Sequence, residues 1–151
     1  MAENYWMLVS SAENFETSRE RGFDLAAMKS RHSKKAADVR PGDKVVYYLT
    51  GAMAFGGAAE VVGEATYDES PIWTSTKDGE RYPHRFPVRI EAVAEPGEYP
   101  LAADLVGAMI HTKRWAPEHW RLAFQGNVHR LPREDYELIR SAVKARVAAA
   151  R

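Results

Sequence analysis

The sequence predicts an α+β fold: a small, mostly antiparallel barrel of about six strands with short helices packed around it. Three observations carry this. The strand-like segments are short and do not alternate strictly with long helices, which disfavours a doubly wound parallel sheet. Residues 85–94 alternate apolar and polar, with Phe86, Val88, Ile90 and Ala92 on one face and Arg85, Arg89 and Glu91 off it. After residue 133 the period changes, and Tyr136, Ile139, Val143 and Val147 step by three or four, as one buried helical stripe does. With 151 residues, 45% hydrophobic and 28% charged, the chain reads as one domain, 1–151, burying about two-thirds of the unfolded chain's surface.

The elements follow in order. Tyr5 to Val9 is a short apolar run, a buried first strand. Ser10-Ser11-Ala12-Glu13-Asn14 supplies cap chemistry for a helix through about Arg21, which Gly22 stops. Phe23 to Ala37 lacks a clean period and reads as a loop or short helix. Pro41-Gly42 fits positions i+1 and i+2 of a type II turn leading into a second strand, Lys44 to Leu49. Thr50 to Gly57 contains three glycines and is a turn or a loosely paired hairpin end. Ala58 to Thr66 is a third strand, with Gly63 marking a bulge or a close backbone approach. Asp68 to Tyr82 is a polar connection, 85–94 a strand, and Leu101 to Ile110 a short helix. Pro117 sits where a first-turn proline would, ahead of residues 119–124. The last helix begins near Leu131.

Composition excludes several chemistries. The absence of cysteine removes disulfides, a thiolate nucleophile and Cys-ligated metal, and the five histidines show no HxxxH or HExxH spacing, so no metal site is expected. No phosphate-cradling glycine motif and no GxSxG occur, and no cofactor is implied. The N-terminus lacks a signal peptide's pattern and no apolar run approaches the ~20 residues of a membrane span. The expectation is a cytoplasmic protein without a membrane role, a monomer or weak dimer.

Charge is balanced, 21 basic against 21 acidic side chains, but unevenly distributed. Residues 107–133 hold five basic side chains (Lys113, Arg114, Arg121, Arg130, Arg133) and one acidic, Glu118. That segment is either a solvated face or a local phosphate-contacting patch, to which Lys34 and Lys35 add.

Four Trp and seven Tyr are many for this length, and core packing claims at least half of them. Trp73 resists that reading, because it lies in the polar loop Glu69-Ser70-Pro71-Ile72-Trp73-Thr74. An aromatic face near arginines and small polar side chains is what recognition of a nucleobase needs: the ring stacks and the polar groups read the base's edge.

The segments Asn4 to Ser10, Pro41 to Tyr48, Ala59 to Glu64 and Tyr82 to Val88, in this order and spacing, resemble the EVE domain. This is a member of the PUA-like superfamily, to which the YTH and ASCH domains also belong. Gly22-Phe23 and His32 to Ala36 look most like the short bacterial proteins of UPF0310 type. The resemblance covers about residues 4 to 145. It implies a PUA-like pseudo-barrel with a pocket for a modified base flipped out of DNA or RNA. Carried across, it places Trp6 and Ser10 at the pocket's wall and floor. Asn14, Phe23 and His32 come from its mouth, Tyr48 and Trp73 supply aromatic surface, Arg85 stands beside it and Gln125 closes the far side. YTH readers have Trp near the position of Phe23, so a full tryptophan cage is not implied. Plainer roles compete: Trp6 in the core, Ser10 as a helix cap, His32 on the surface, Arg85 paired with Glu60 or Glu64. The leading expectation is non-catalytic recognition of a modified base. The alternatives are a small hydrolase or RNA-processing enzyme using His32 with Ser10 or Lys34, and a protein-interaction module.

Overall fold

The computed structural model describes residues 3–75 and 80–149, so residues 1–2, 76–79 in the polar connection, and 150–151 lie outside the described residues. Among the described residues, seven strands form one mixed sheet. They are β1 (Tyr5–Ser10), β2 (Leu25–Met28), β3 (Lys44–Leu49), β4 (Ala54–Val61), β5 (Thr66–Tyr67), β6 (His84–Val93) and β7 (Val128–Arg130). The order across the sheet is β2-β6-β4-β3-β1-β7, with β5 pairing β6. Among the described residues, only β1 and β3 run parallel; the other pairings are antiparallel.

The sheet curls, and the curl divides the core in two. One apolar cluster draws Trp6, Leu8, Ala26, Met28, Val45, Tyr47, Val61, Phe86 and Val128 from six strands, with Phe15 and Phe23, so it fills the inside of the curl. The other takes Met7, Val9, Val46, Tyr48 and Phe55 from the opposite faces and packs them against helices: α3 (Ala102–Leu105), the 3₁₀ segments of 106–124, and α4 (Arg133–Ala149). Strands buried on both faces read as continuous apolar runs, which is why β1 and β3 show no alternation.

Two bulges shape the curl. In β4, Gly56 is the extra residue, since Tyr47 pairs with Gly57 and Tyr48 with Phe55. A Cβ at Gly56 would lie 2.7 Å from the Phe15 ring, so only glycine lets the strand approach α1 (Ala12–Glu20) this closely. In β6, Ala58 pairs with Ala92 but Ala59 with Ile90, leaving Glu91 as the extra residue. The bulge corrects the single-face reading of this strand. Phe86 and Val88 point into the inner cluster and Ala92 into the outer one. Gly63 is the expected close approach, 2.5 Å from Pro87 for a built Cβ.

Three boundaries differ from expectation. Residues 25–28 form a strand, not a loop; its four residues are too few to display a period. The strand expected at 58–66 runs 54–61, because the bulge lets Gly56 and Gly57 join the ladder. The helix expected at 101–110 is a short α-turn continued as 3₁₀. The helix stop and the turn stand as expected. Gly22 N–H bonds to the Arg19 carbonyl and Phe23 N–H to that of Ser18, the paired bonds of a Schellman end. Gly42 adopts φ +95° and Asp43 N–H returns to the Arg40 carbonyl.

The two sheet edges meet. Lys29 at the end of β2 donates its backbone N–H to Asn127 Oδ1 at 3.1 Å, and Asn127 Nδ2 donates to the Val9 carbonyl at 3.2 Å. Lys35 Nζ, from α2 (Ser33–Ala37), reaches the Val128 carbonyl at 3.0 Å. Side chains thus close a seam that the strands leave open.

Candidate functional site

A cleft opens at that seam. Its inner part is a narrow recess of about 30 Å³, lined by Leu8, Phe15, Ala26, Ala27, Tyr47, Trp73 and Tyr82, with Ser10, Asn14, Ser18 and Asn127. A polar outer part of about 270 Å³ shares Ser10, Asn14 and Tyr82 and adds Ser11, Glu13, Lys29, Thr74 and Gly126. A concavity with an apolar end and a few convergent polar groups is the ordinary form of a small-ligand site.

The lining is fixed from below and above. Register sets the floor: Leu8 pairs with Tyr47 and Ser10 with Leu49, so these alternate residues share the inward face. Ser11 caps α1 by accepting from Asn14 N–H at 3.1 Å, which presents the Asn14 amide to the cleft. The roof is loop 68–75, and four anchors hold it. Asn14 bonds twice to Thr74, accepting from its N–H at 2.9 Å and donating to its carbonyl at 2.7 Å. Trp73 Nε1 donates to Ser18 Oγ at 2.9 Å. Arg85 donates to the Ser70 hydroxyl and carbonyl, pairs with Asp68, and lies 5.4 Å from the Trp73 ring centroid. Glu80 binds Ser75 Oγ at 2.5 Å, Lys29 Nζ at 3.0 Å and Arg31 at 3.5 Å. The Ser75 hydroxyl first, then Lys29 and Arg31, hold its carboxyl down at about 2.

Of the nine residues expected to form the pocket, three line this cleft: Ser10, Asn14 and Trp73. Six do not. Trp6 shares the inward face but lies at the far end of β1, fully buried, its Nε1 donating to Asp43 Oδ2 at 3.0 Å. Phe23 takes φ +53° as the last residue of the helix stop and packs on Phe15 at 5.1 Å. Tyr48 points to the outer cluster, stacked on Phe124 at 4.4 Å. Arg85 is buried as a brace of the roof and is not free for phosphate; its expected partner Glu60 instead takes Arg89, at 2.6 Å. Gln125 is exposed, and Gly126 and Asn127 take the lining role. His32 lies outside the cleft, where burial and then Lys35, Arg31 and Lys29 push its imidazole down to about 4.

The reading missed Tyr47, Tyr82, Ser18, Lys29 and Asn127. A signal existed for Tyr47. Given Trp6 and Ser10 on one face of β1, pairing of β1 with β3 must bring either Tyr47 or Tyr48 to that face, and register decides.

The basic residues divide. Arg130 and Arg133 are paired, with Asp38 and Glu137. Lys34, Lys113, Arg114 and Arg121 are exposed and, among the described residues, make no salt bridge. The last three sit on the segment that covers the outer cluster, whereas α2, with Lys34 and Lys35, packs through Ala36 into the cluster below the cleft. Among the described residues no group of three acidic or histidine side chains is placed to hold a metal ion, and no helix is long and apolar enough to cross a membrane.

Comparison with known proteins adds the context. The model of the EVE domain family matches residues 4–142. A UPF0310 protein of Pyrococcus abyssi is 30% identical over 147 residues, covering 91% of this chain and 98% of its own. A second, of Pyrococcus horikoshii, is also 30% identical, covering 89% and 95%. Among solved structures, the Mmi1 YTH domain superposes with a TM-score of 0.69 at 11% identity, over 97% of this chain and 78% of that one. The YTH domain of the Zygosaccharomyces rouxii MRB1 protein, solved in complex with N6-methyladenosine RNA, gives 0.62 at 18% identity, over 95% and 86%.

Proposed function

The chain belongs to the EVE domain family, and on that premise we propose that its cleft accepts a modified nucleobase turned out of a DNA or RNA strand and binds it without transforming it. The observation that carries the reading is the aromatic lining. The Trp73 and Tyr82 rings meet edge to face at 6.3 Å above the apolar wall of Leu8, Ala26 and Ala27. Stacking is worth about 1–3 kcal/mol per base. That offsets the few kcal/mol needed to draw a base from its stack. The YTH domain solved with N6-methyladenosine RNA shares the fold, which supports a base as the occupant.

The partner is DNA or RNA, with exposed Lys34, Lys113, Arg114 and Arg121 as candidate phosphate contacts and Lys35 half-buried beside β7. With net charge zero, global attraction is absent and the aromatic cleft must supply most of the affinity. Binding without turnover fits the polar groups of the lining. The Ser10 hydroxyl donates to the Ser11 carbonyl, and no histidine lines the cleft among the described residues.

The test is a binding screen of short DNA and RNA strands, each carrying one modified base, against their unmodified counterparts. Trp73→Ala should abolish the preference for the modified strand while circular dichroism stays unchanged. An undiminished preference would remove Trp73 from the site, and equal binding of all strands by the unmutated protein would overturn the reading.

A further inference from the structure

The four tryptophans fall into two pairs. Trp6 and Trp73 spend their indole N–H groups on Asp43 and Ser18. Trp115 and Trp120 are half-buried on the segment that covers the outer cluster, and among the described residues neither Nε1 has an acceptor. With Val106, Gly107 and Pro117 they line an open groove of about 170 Å³, and Lys113 forms part of its wall. Thr112 lines it too, but its hydroxyl is turned to the Val106 carbonyl at 2.9 Å. Arg114 follows Lys113 in sequence, and the Arg121 guanidinium lies 5.5 Å from the Trp120 ring centroid. These three cations are exposed, and none has a carboxylate partner among the described residues. The groove neighbours the cleft. Trp115 rests on His111 at 5.8 Å and His111 on His129 at 5.3 Å. Gly126, on the rim of the cleft's outer part, comes next, since a Cβ there would lie 3.9 Å from His129 Nε2.

We infer that this groove is a second binding site, which takes unpaired nucleotides of a single-stranded stretch of DNA or RNA: their bases stack on Trp115 and Trp120, and Lys113, Arg114 and Arg121 meet the flanking phosphates. Two half-exposed indoles among three unpaired cations match the two parts of such a strand, its planar bases and its charged backbone. A duplex offers the cations its phosphates but keeps the faces of its bases stacked on one another. A chain of acidic residues also offers charge, but no planar rings for the indoles. Stacking does not distinguish one base from another, because every base has a flat face. The groove therefore reads neither sequence nor modification, and it goes beyond the reading of the cleft without depending on it. Where a base does occupy the cleft, its unpaired neighbours in the strand reach the groove.

The experiment titrates the full chain with labelled, unmodified oligothymidylate and oligouridylate strands, and with the thymidylate strand paired to its complement. The unmutated protein should bind the single strands more tightly than the duplex. Trp120→Leu removes the flat ring and keeps an apolar side chain beside Phe124. It should weaken single-strand binding about tenfold and leave duplex binding unchanged. Lys113→Gln combined with Arg121→Gln, at two exposed positions, should weaken binding and make its salt dependence shallower. This second variant decides the question if Trp120→Leu fails to fold. Absence of single-strand binding, equal affinity for strand and duplex, unchanged affinity in a folded Trp120→Leu, or an unaltered salt slope in the double variant each overturns the inference. So does displacement of the strand by polyglutamate at equal charge, which would make the groove a site for acidic chains. The preference for modified over unmodified strands should be the same in Trp120→Leu as in the unmutated protein, and a preference that falls with Trp120 overturns the separateness of the groove. An unmutated protein that binds single strands through Trp120 but shows no such preference keeps the groove and loses the cleft as a site for a modified base.

Discussion

At the scale of single residues, buried polar side chains decide more here than the aromatic ones that the eye picks out. Asp43 is 2% exposed and its carboxylate accepts from Asn4 N–H at 3.0 Å, Arg40 N–H at 2.9 Å, Trp6 Nε1 at 3.0 Å and Asn4 Nδ2 at 3.3 Å. It fastens the start of β1 to the turn before β3 and makes Trp6 a core residue. Asp43→Ala would strand three of these buried or half-buried donors, Asn4 Nδ2 keeping the Asp38 carbonyl, and should cost about 3 kcal/mol, whereas Asp43→Asn keeps an acceptor oxygen and should cost less. Urea unfolding of the two variants reads the difference; equal losses would mean that the bonds contribute little. The sequence displayed Asp43 only as a turn residue, since its donors lie up to 39 positions away. Trp73 was legible because a large aromatic ring stands out in a polar loop. Arg85 was legible as important but not in its role: that a guanidinium is spent on Ser70 and Asp68 follows from how the loop folds back, which no local pattern records.

At the scale of elements, the parts with a long period were readable and the parts set by pairing were not. The α4 stripe and the run of β3 follow from their own residues. The four residues of β2 are a strand only because β6 offers them an edge, and the outward turn of Ala92 exists only because Glu91 bulges. The seam is the extreme case, since its closure hangs on two side chains, Lys35 and Asn127. Asn127, in the loop before β7, bridges Lys29 at the end of the edge strand β2 and Val9 of β1, the strand that pairs with β7. Asn127→Ala should therefore destabilise the protein by about 2 kcal/mol, leaving the half-buried Lys29 N–H and the buried Val9 carbonyl unpaired. It should lower the urea midpoint with an unchanged slope, because the surface exposed on unfolding is the same. Amide hydrogen exchange sharpens the test: protection should fall first at Lys29 and Val9, and uniform loss across all strands would mean that the seam is not a local joint.

For the whole molecule, zero net charge concealed two regions with different electrostatic logic: an exposed basic segment over the outer cluster, and Glu80 paired with Lys29 and Arg31 beside the cleft, with His32 outside it in the field of the same cations. Glu80 and His32 give the folded state a pH dependence on the acid side. His32 is held at about 4 in the folded chain against 6.5 unfolded, so below pH 6.5 the unfolded chain takes up a proton that the folded one refuses. Stability therefore falls as pH drops from 6.5 towards 4 and gains no further loss from this group below that. Glu80 is held at about 2 against 4.5, so its carboxylate adds stability above pH 4.5 that is lost as pH falls through about 2. The two windows adjoin, and both lie on the acid side. The thermal midpoint should decline in two stages, between pH 6.5 and 4 and again between 4.5 and 2. His32→Gln should flatten the first stage and leave the second, and Glu80→Gln should do the reverse. A first stage of full size in His32→Gln would assign it to another group. Because Glu80 anchors Ser75 beside Thr74, loss of its charge should also loosen the roof over the cleft. Binding of a modified strand should then weaken on acidification more than the melting of the protein alone accounts for, and salt should weaken it only shallowly, as few phosphate contacts require.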